Sequence, residues 1–187
     1  MLNRKLFWIL ALGMLITSCG DDDPVIPNEE ELITTVSLSF FDPVTMDPID
    51  NAGAIFRDLD GDGGDAPVID DLTLDANIRY LMVLEFTNEI EEPAEDITEE
   101  VIDEGDEHQV FFSVSAADLD VDYADADVLG QPLGVESFLS TGQASSGQLT
   151  IVLRHMPDKG ADGVSDGDIT NAGGETDIEV TFNVEVQ

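Results

Sequence analysis

The chain is poor in cysteine, tryptophan and positive charge, and each shortage removes a class of protein. With Cys19 as its one cysteine, it can form no internal disulfide. Six Lys and Arg face 42 Asp and Glu, for a formal charge of -36 at pH 7. Such a field repels nucleic acid and anionic lipid, and makes cations the natural counter-species. The only tryptophan is Trp8, and the tyrosines are Tyr80 and Tyr123, so there is no aromatic platform for sugar. The longest apolar run, Leu6 to Ile16, has 11 residues. About 20 are needed to cross a bilayer as a helix. There is no H-E-x-x-H and no phosphate-cradling glycine loop, and accidental carboxylate pairs abound among so many acids. The expectation is a protein that is not an enzyme.

What is present begins with an address. Arg4 and Lys5 precede the apolar run, and small residues follow it, the pattern of a secretory signal peptide over residues 1–18. Ile16-Thr17-Ser18-Cys19 resembles a bacterial lipobox. That resemblance implies a diacylglyceryl group on the Cys19 sulfur, cleavage before Cys19, and acylation of the new amino group by a palmitate-type chain. One acyl chain binds a membrane only marginally, whereas several hold it stably. Gly20-Asp21-Asp22-Asp23 resembles the acidic export signal of Bacteroidota surface lipoproteins. It implies an outer-membrane protein exposed at the cell surface, with a periplasm-facing domain as the alternative. Loss of Arg4 and Lys5 with the leader takes six bases to four and the charge to -38. Residues 19–33, with two prolines and six acids, read as a lipidated, extended acidic tether.

From residue 34 to 187 the hydrophobic pattern has period two, the mark of half-buried strands. Val36, Leu38 and Phe40 share one face of a first strand. Tyr80, Met82, Leu84 and Phe86 do so in the run 78–89, and Ile178, Val180, Phe182, Val184 and Val186 do so at the end. Further strands are expected over 54–57, 68–74, 110–115, 118–123, 135–140 and 148–155. One acidic helix of about two turns is expected from the N-cap Asp96, with Ile97, Val101 and Ile102 on one side and Gly105 as C-cap. The fold expected is a single all-β domain, an antiparallel β-sandwich of immunoglobulin-like type, with a barrel or jelly roll as alternative. Either the first or the last strand is expected at a sheet edge.

Two constellations could bind metal. Asp58-Leu-Asp60-Gly-Asp62-Gly-Gly-Asp65 fits the D-x-D-x-D-G opening of a calcium loop, in which alternate carboxylates converge. It lacks the closing glutamate, since Ile69 stands at the twelfth position. Calcium is therefore the expected cofactor, held by Asp58, Asp60, Asp62 and Asp65. A weaker echo runs from Asp122 through Asp125 and Asp127. The two histidines, His108 and His155, fall at strand ends and with Glu107 or Glu104 could hold zinc or copper, because imidazole suits those metals.

The body also resembles small Bacteroidota lipoproteins. The likeness rests on Phe56-Arg57-Asp58-x-Asp60-Gly-Asp62-Gly-Gly, on Asp106-Glu107-His108-Gln109 with Phe111-Phe112, and on Leu153-Arg154-His155. It implies a surface binding module, held to the membrane by its N-terminal lipid and accessory to a TonB-dependent outer-membrane transporter. The alternative is a structural or adhesive lipoprotein with no transport role.

Overall fold

A computed structural model describes residues 31–61 and 64–187. The expected signal peptide, Cys19 and the expected tether up to residue 30 lie outside the described residues, as does Asp62.

The alternating segments become strands. In chain order they are β1 (Thr35–Phe41), β2 (Pro48–Arg57), β3 (Val68–Ile69), β4 (Leu72–Leu74), β5 (Arg79–Asn88) and β6 (Glu95–Asp96), followed by the helix α1 (Ile97–Asp103). Then come β7 (His108–Ser115), β8 (Leu119–Tyr123), β9 (Glu136–Thr141), β10 (Ser145–His155) and β11 (Glu175–Val186). They form two sheets, one ordered β3-β2-β1-β5-β9-β8 with β6 added to β5, the other β4-β11-β10-β7. All pairings are antiparallel except β4 with β11. The molecule is an all-β sandwich, as its alternation implies.

The core lies between the sheets. Val36, Leu38, Phe40, Tyr80, Met82, Leu84 and Phe86 from the first sheet meet Val110, Leu149, Ile151, Leu153, Val180, Phe182 and Val184 from the second. Phe40 and Tyr80 pack edge to face, with centroids 5.6 Å apart. Truncating one such buried phenylalanine to alanine costs about 3–5 kcal/mol.

Neither end of the strand set is an edge. β1 runs between β2 and β5, and β11 between β10 and β4. Three residues, Leu72–Leu74, lie parallel along the end of β11 and pair with Val184, Glu185 and Val186. A short segment from a loop therefore covers the backbone groups of the last three residues of β11, which an open edge would expose.

The helix starts as its sequence implies, with the Asp96 carboxylate accepting from the Thr98 amide. It ends one residue earlier than Gly105, at Glu104. Ile97 and Val101 are buried, but Ile102 is exposed. Five residues after Ile97, it is turned well away from the i, i+4 face. Thr98 docks the helix, because its hydroxyl accepts from the Phe86 amide and donates to the Phe86 carbonyl. It thus satisfies a stretch of β5 that β9 does not reach.

Candidate metal centre

The candidate ligands gather at one end of the sandwich. β7 and β10 pair so that His108 stands directly opposite His155. Both histidines continue the inward-facing rows of their strands, with Val110 two residues from one and Leu153 two residues from the other, so both rings are buried. They stack with centroids 4.8 Å apart.

β11 adds a carboxylate by breaking its own alternation. Its register with β10 passes from Ile178 opposite Leu153 to Thr176 opposite Arg154, which leaves Asp177 as the extra residue of a β-bulge. Bulges re-aim side chains. Without the bulge Asp177 would share the outward face of Glu179; with it, its carboxylate is fully buried. The strand enters from Gly174, whose φ is +68° and where a Cβ would lie 2.2 Å from the His155 carbonyl oxygen. Only glycine fits there.

Glu31, four residues before β1, supplies the fourth group, and its side chain is 5% exposed. The His108 Nε2 lies 3.3 Å from Glu31 Oε1 and 3.7 Å from Asp177 Oδ2. The His155 Nδ1 lies 3.9 Å from Glu31 Oε2 and 3.8 Å from Asp177 Oδ1. One ligand atom from each of the four residues falls within 4.8 Å of all the others. A tetrahedral ion with bonds near 2.1 Å sets its donors about 3.4 Å apart. The observed spacing is that of a cage slightly larger than its ion.

Tautomer and charge agree with this geometry. The His108 Nδ1 lies 3.2 Å from the Glu104 carbonyl oxygen, which can only accept, so Nδ1 carries the proton. Its Nε2 then faces the Glu31 and Asp177 carboxylates, a position that suits a shared cation. A histidine oriented through its other nitrogen in this way is typical of metal ligands. The Nε2 of His108 and the Oε2 of Glu31 are both buried without a hydrogen-bond partner among the described residues, a costly condition that an ion would relieve.

A second group adjoins the first. Glu31, Glu100 and Glu104 also bring ligand atoms within 4.8 Å of one another. Burial first, then the charges of Glu31, Glu104 and Glu95, hold the Glu100 carboxyl above the usual carboxylate range, while His108 acts in the opposite sense. A cavity of about 440 Å³ lies beside the centre, bordered by Asp177 and Ile178 on one side and by Phe56, Asp58 and Asp60 on the other.

The acidic loop at Asp58 is built differently. Asp58 Oδ1 accepts from the amides of Asp60 and Gly61, and Asp60 Oδ2 from that of Asp65. Asp62 lies outside the described residues, and among those described Asp58, Asp60 and Asp65 form no such group of ligand atoms. In the second acidic turn Asp125 accepts from the amides of Gly134 and Glu136. Asp127 accepts from Leu129, Gln131 and the buried Lys159 ammonium, the last at 2.8 Å. Lys159 also donates to the carbonyls of Gly105 and Pro132, so it ties the turn between α1 and β7 to two loops.

Sequence reasoning paired the two histidines but missed Glu31 and Asp177. It placed Glu104 and Glu107 beside the histidines. Glu107 Oε2 lies 4.0 Å from His155 Nε2, on the ring side away from the four-ligand group. One hydrolase motif is also spelled in the chain, Gly163-Val164-Ser165-Asp166-Gly167. Here Val164–Asp166 forms a 3-10 turn between two left-handed glycines. A nucleophile elbow is a strand-to-helix turn.

Fold and centre together define the chain as an all-β sandwich domain with a candidate metal centre at one end of its layers. No protein-family model matches it, and neither does any curated protein or solved structure.

Proposed function

We propose that the protein is a lipid-anchored surface module whose sandwich domain binds a transition-metal ion of the zinc class through Glu31, His108, His155 and Asp177. The observation that carries the reading is the convergence of two imidazoles and two carboxylates, all buried, within 4.8 Å. Mixed imidazole and carboxylate donors suit zinc, iron or copper better than calcium. Four protein ligands make a closed set, which holds an ion rather than presenting it to a substrate.

The lipobox at Cys19 and the acidic run behind it supply the rest: anchoring in the outer membrane, the domain at the cell surface, and service to a TonB-dependent transporter. A second reading, a structural or adhesive lipoprotein, is favoured by the closed ligand set, because a buried ion stiffens the fold whether or not it is passed on. Isolation of the protein from membranes with a stoichiometric barrel partner separates the two.

Cobalt tests the centre directly. The mature chain titrated with Co(II) is expected to bind one equivalent in the cage and to develop the visible absorption of a four-coordinate ion, which zinc then abolishes. A His108→Ala, His155→Ala double variant that retains the spectrum would defeat the reading. Labelled palmitate that enters the wild type but not Cys19→Ala tests the anchor.

A further inference from the structure

Glu31 belongs to both carboxylate groups at once. It faces His108, His155 and Asp177 in one, and Glu100 and Glu104 in the other. Its side chain is only 5% exposed, and its Oε2 has no hydrogen-bond partner among the described residues. A carboxylate has two oxygens and about four lone-pair sites, more than one ion consumes. We propose that the centre holds two divalent cations bridged by the Glu31 carboxylate: a transition-metal ion on His108, His155 and Asp177, and a harder, oxygen-bound cation such as manganese on Glu100 and Glu104.

The proposal rests on the one-ion reading and extends it. The first argument is charge. Glu31, Asp177, Glu100 and Glu104 bring four negative charges, which two divalent ions neutralise and one leaves half uncompensated. The second argument is ligand type. The inner group contains nitrogen, whereas the outer one is carboxylate alone, the donor set of manganese, magnesium or calcium. The third is access. His108 and Asp177 are fully buried, while Glu100 is exposed, so water can complete a larger coordination number at the outer position only.

The local sequence arranges this. Glu100, Glu104 and His108 recur at every fourth position, from the last turn of α1 into the start of β7. On the helix, residues four apart are neighbours and like charges there destabilise it. The C-terminal end of a helix disfavours acids further. A cation between Glu100 and Glu104 reverses both costs. The buried Glu31 opposite them, with an oxygen that has no hydrogen-bond partner among the described residues, distinguishes this cluster from the solvated acidic turns of the other described loops.

The experiment is a two-metal stoichiometry on the full mature chain in detergent. The protein is loaded with one equivalent of zinc, titrated with Mn(II), and followed by the free Mn(II) paramagnetic resonance signal and by elemental analysis after gel filtration. The expected result is one zinc and one tightly held manganese. Glu100→Gln with Glu104→Gln is expected to lose the manganese and keep the zinc, whereas Asp58→Asn with Asp60→Asn keeps both. Zinc without manganese in the unsubstituted chain overturns the bridge and leaves the one-ion reading standing. Manganese retained by the Glu100, Glu104 variant also overturns the bridge. A chain that binds no zinc overturns both readings. Should the double variant fail to fold, the stoichiometry of the unsubstituted chain decides alone.

Discussion

The imidazole of His108 lies stacked on that of His155, with centroids 4.8 Å apart and planes 20° from parallel. Two buried carboxylates, Glu31 and Asp177, face the same two rings. A divalent ion among the four side chains would neutralise that buried charge, and stability should therefore follow the metal.

Zinc at 100 times its dissociation constant is expected to stabilise the folded chain by about 2.7 kcal/mol. In a chain of this size each kcal/mol moves the melting temperature by about 2–4 °C. His155→Ala should remove the whole shift, because it deletes one of the two nitrogen donors. Differential scanning calorimetry with and without zinc checks this. An undiminished shift in the variant places the stabilising ion elsewhere.

Gly174→Ala is expected to damage the centre without touching a ligand. Its φ of +68° and the 2.2 Å approach to the His155 carbonyl oxygen leave no room for a methyl group. Strain of this kind costs about 1–3 kcal/mol, and relief requires movement at the start of β11, three residues from Asp177. Zinc affinity measured by competition with a chelating dye should fall along with the melting temperature. A variant that loses stability and keeps its affinity would show the bulge to be set independently of the turn.

Lys159 is buried and spends its ammonium on Asp127, Gly105 and Pro132. Removing one partner of a buried ion pair typically costs about 3–5 kcal/mol, and that is the expected loss for Lys159→Met in urea unfolding. Burial alone would raise the Asp127 carboxyl, but the Lys159 ammonium and the amides of Gln131 and Leu129 outweigh it and hold the group below its ordinary 3.8. A depressed folded value means stability that is present above the unfolded value and lost as pH falls through the folded one. The penalty of Lys159→Met should therefore shrink on acidification below about pH 4. A penalty that does not change with pH would mean that the lysine matters through its packing alone.

The strands were legible because burial on one face writes a period of two into the sequence, as in Tyr80, Met82, Leu84 and Phe86 of β5 and from Ile178 to Val186 of β11. Strand order was not legible. Nothing in Thr35–Phe41 or Glu175–Val186 announces a neighbour on both sides, and the single strand expected over 68–74 is split into β3 and β4, which join different sheets. The two histidines stood out by rarity. Asp177 did not, since alternation sends it outward and only a register shift against β10 brings it in. Glu31 was hidden among the six acids of residues 19–33, where composition speaks for solvent and only the fold shows its carboxylate buried.

Tyr123 makes the alkaline limit of stability testable. Its hydroxyl donates to the Val110 carbonyl and accepts from the Gln109 amide, just beyond His108. Burial raises its pKa from 10.0 to about 12, with the Asp125 charge adding to the shift and the Gln109 hydrogen bond opposing it. Between those two values the unfolded chain releases a proton that the folded chain keeps, so the stability present below pH 10 is lost as pH rises towards 12. At about 1.4 kcal/mol for each unit, the loss approaches about 2.7 kcal/mol. Tyr123→Phe should forfeit about 1 kcal/mol at neutral pH with its hydrogen bonds. It should also flatten the alkaline decline that the wild type shows in urea midpoints measured from pH 9 to 11.5. An equal decline in both proteins would assign the alkaline sensitivity to another group.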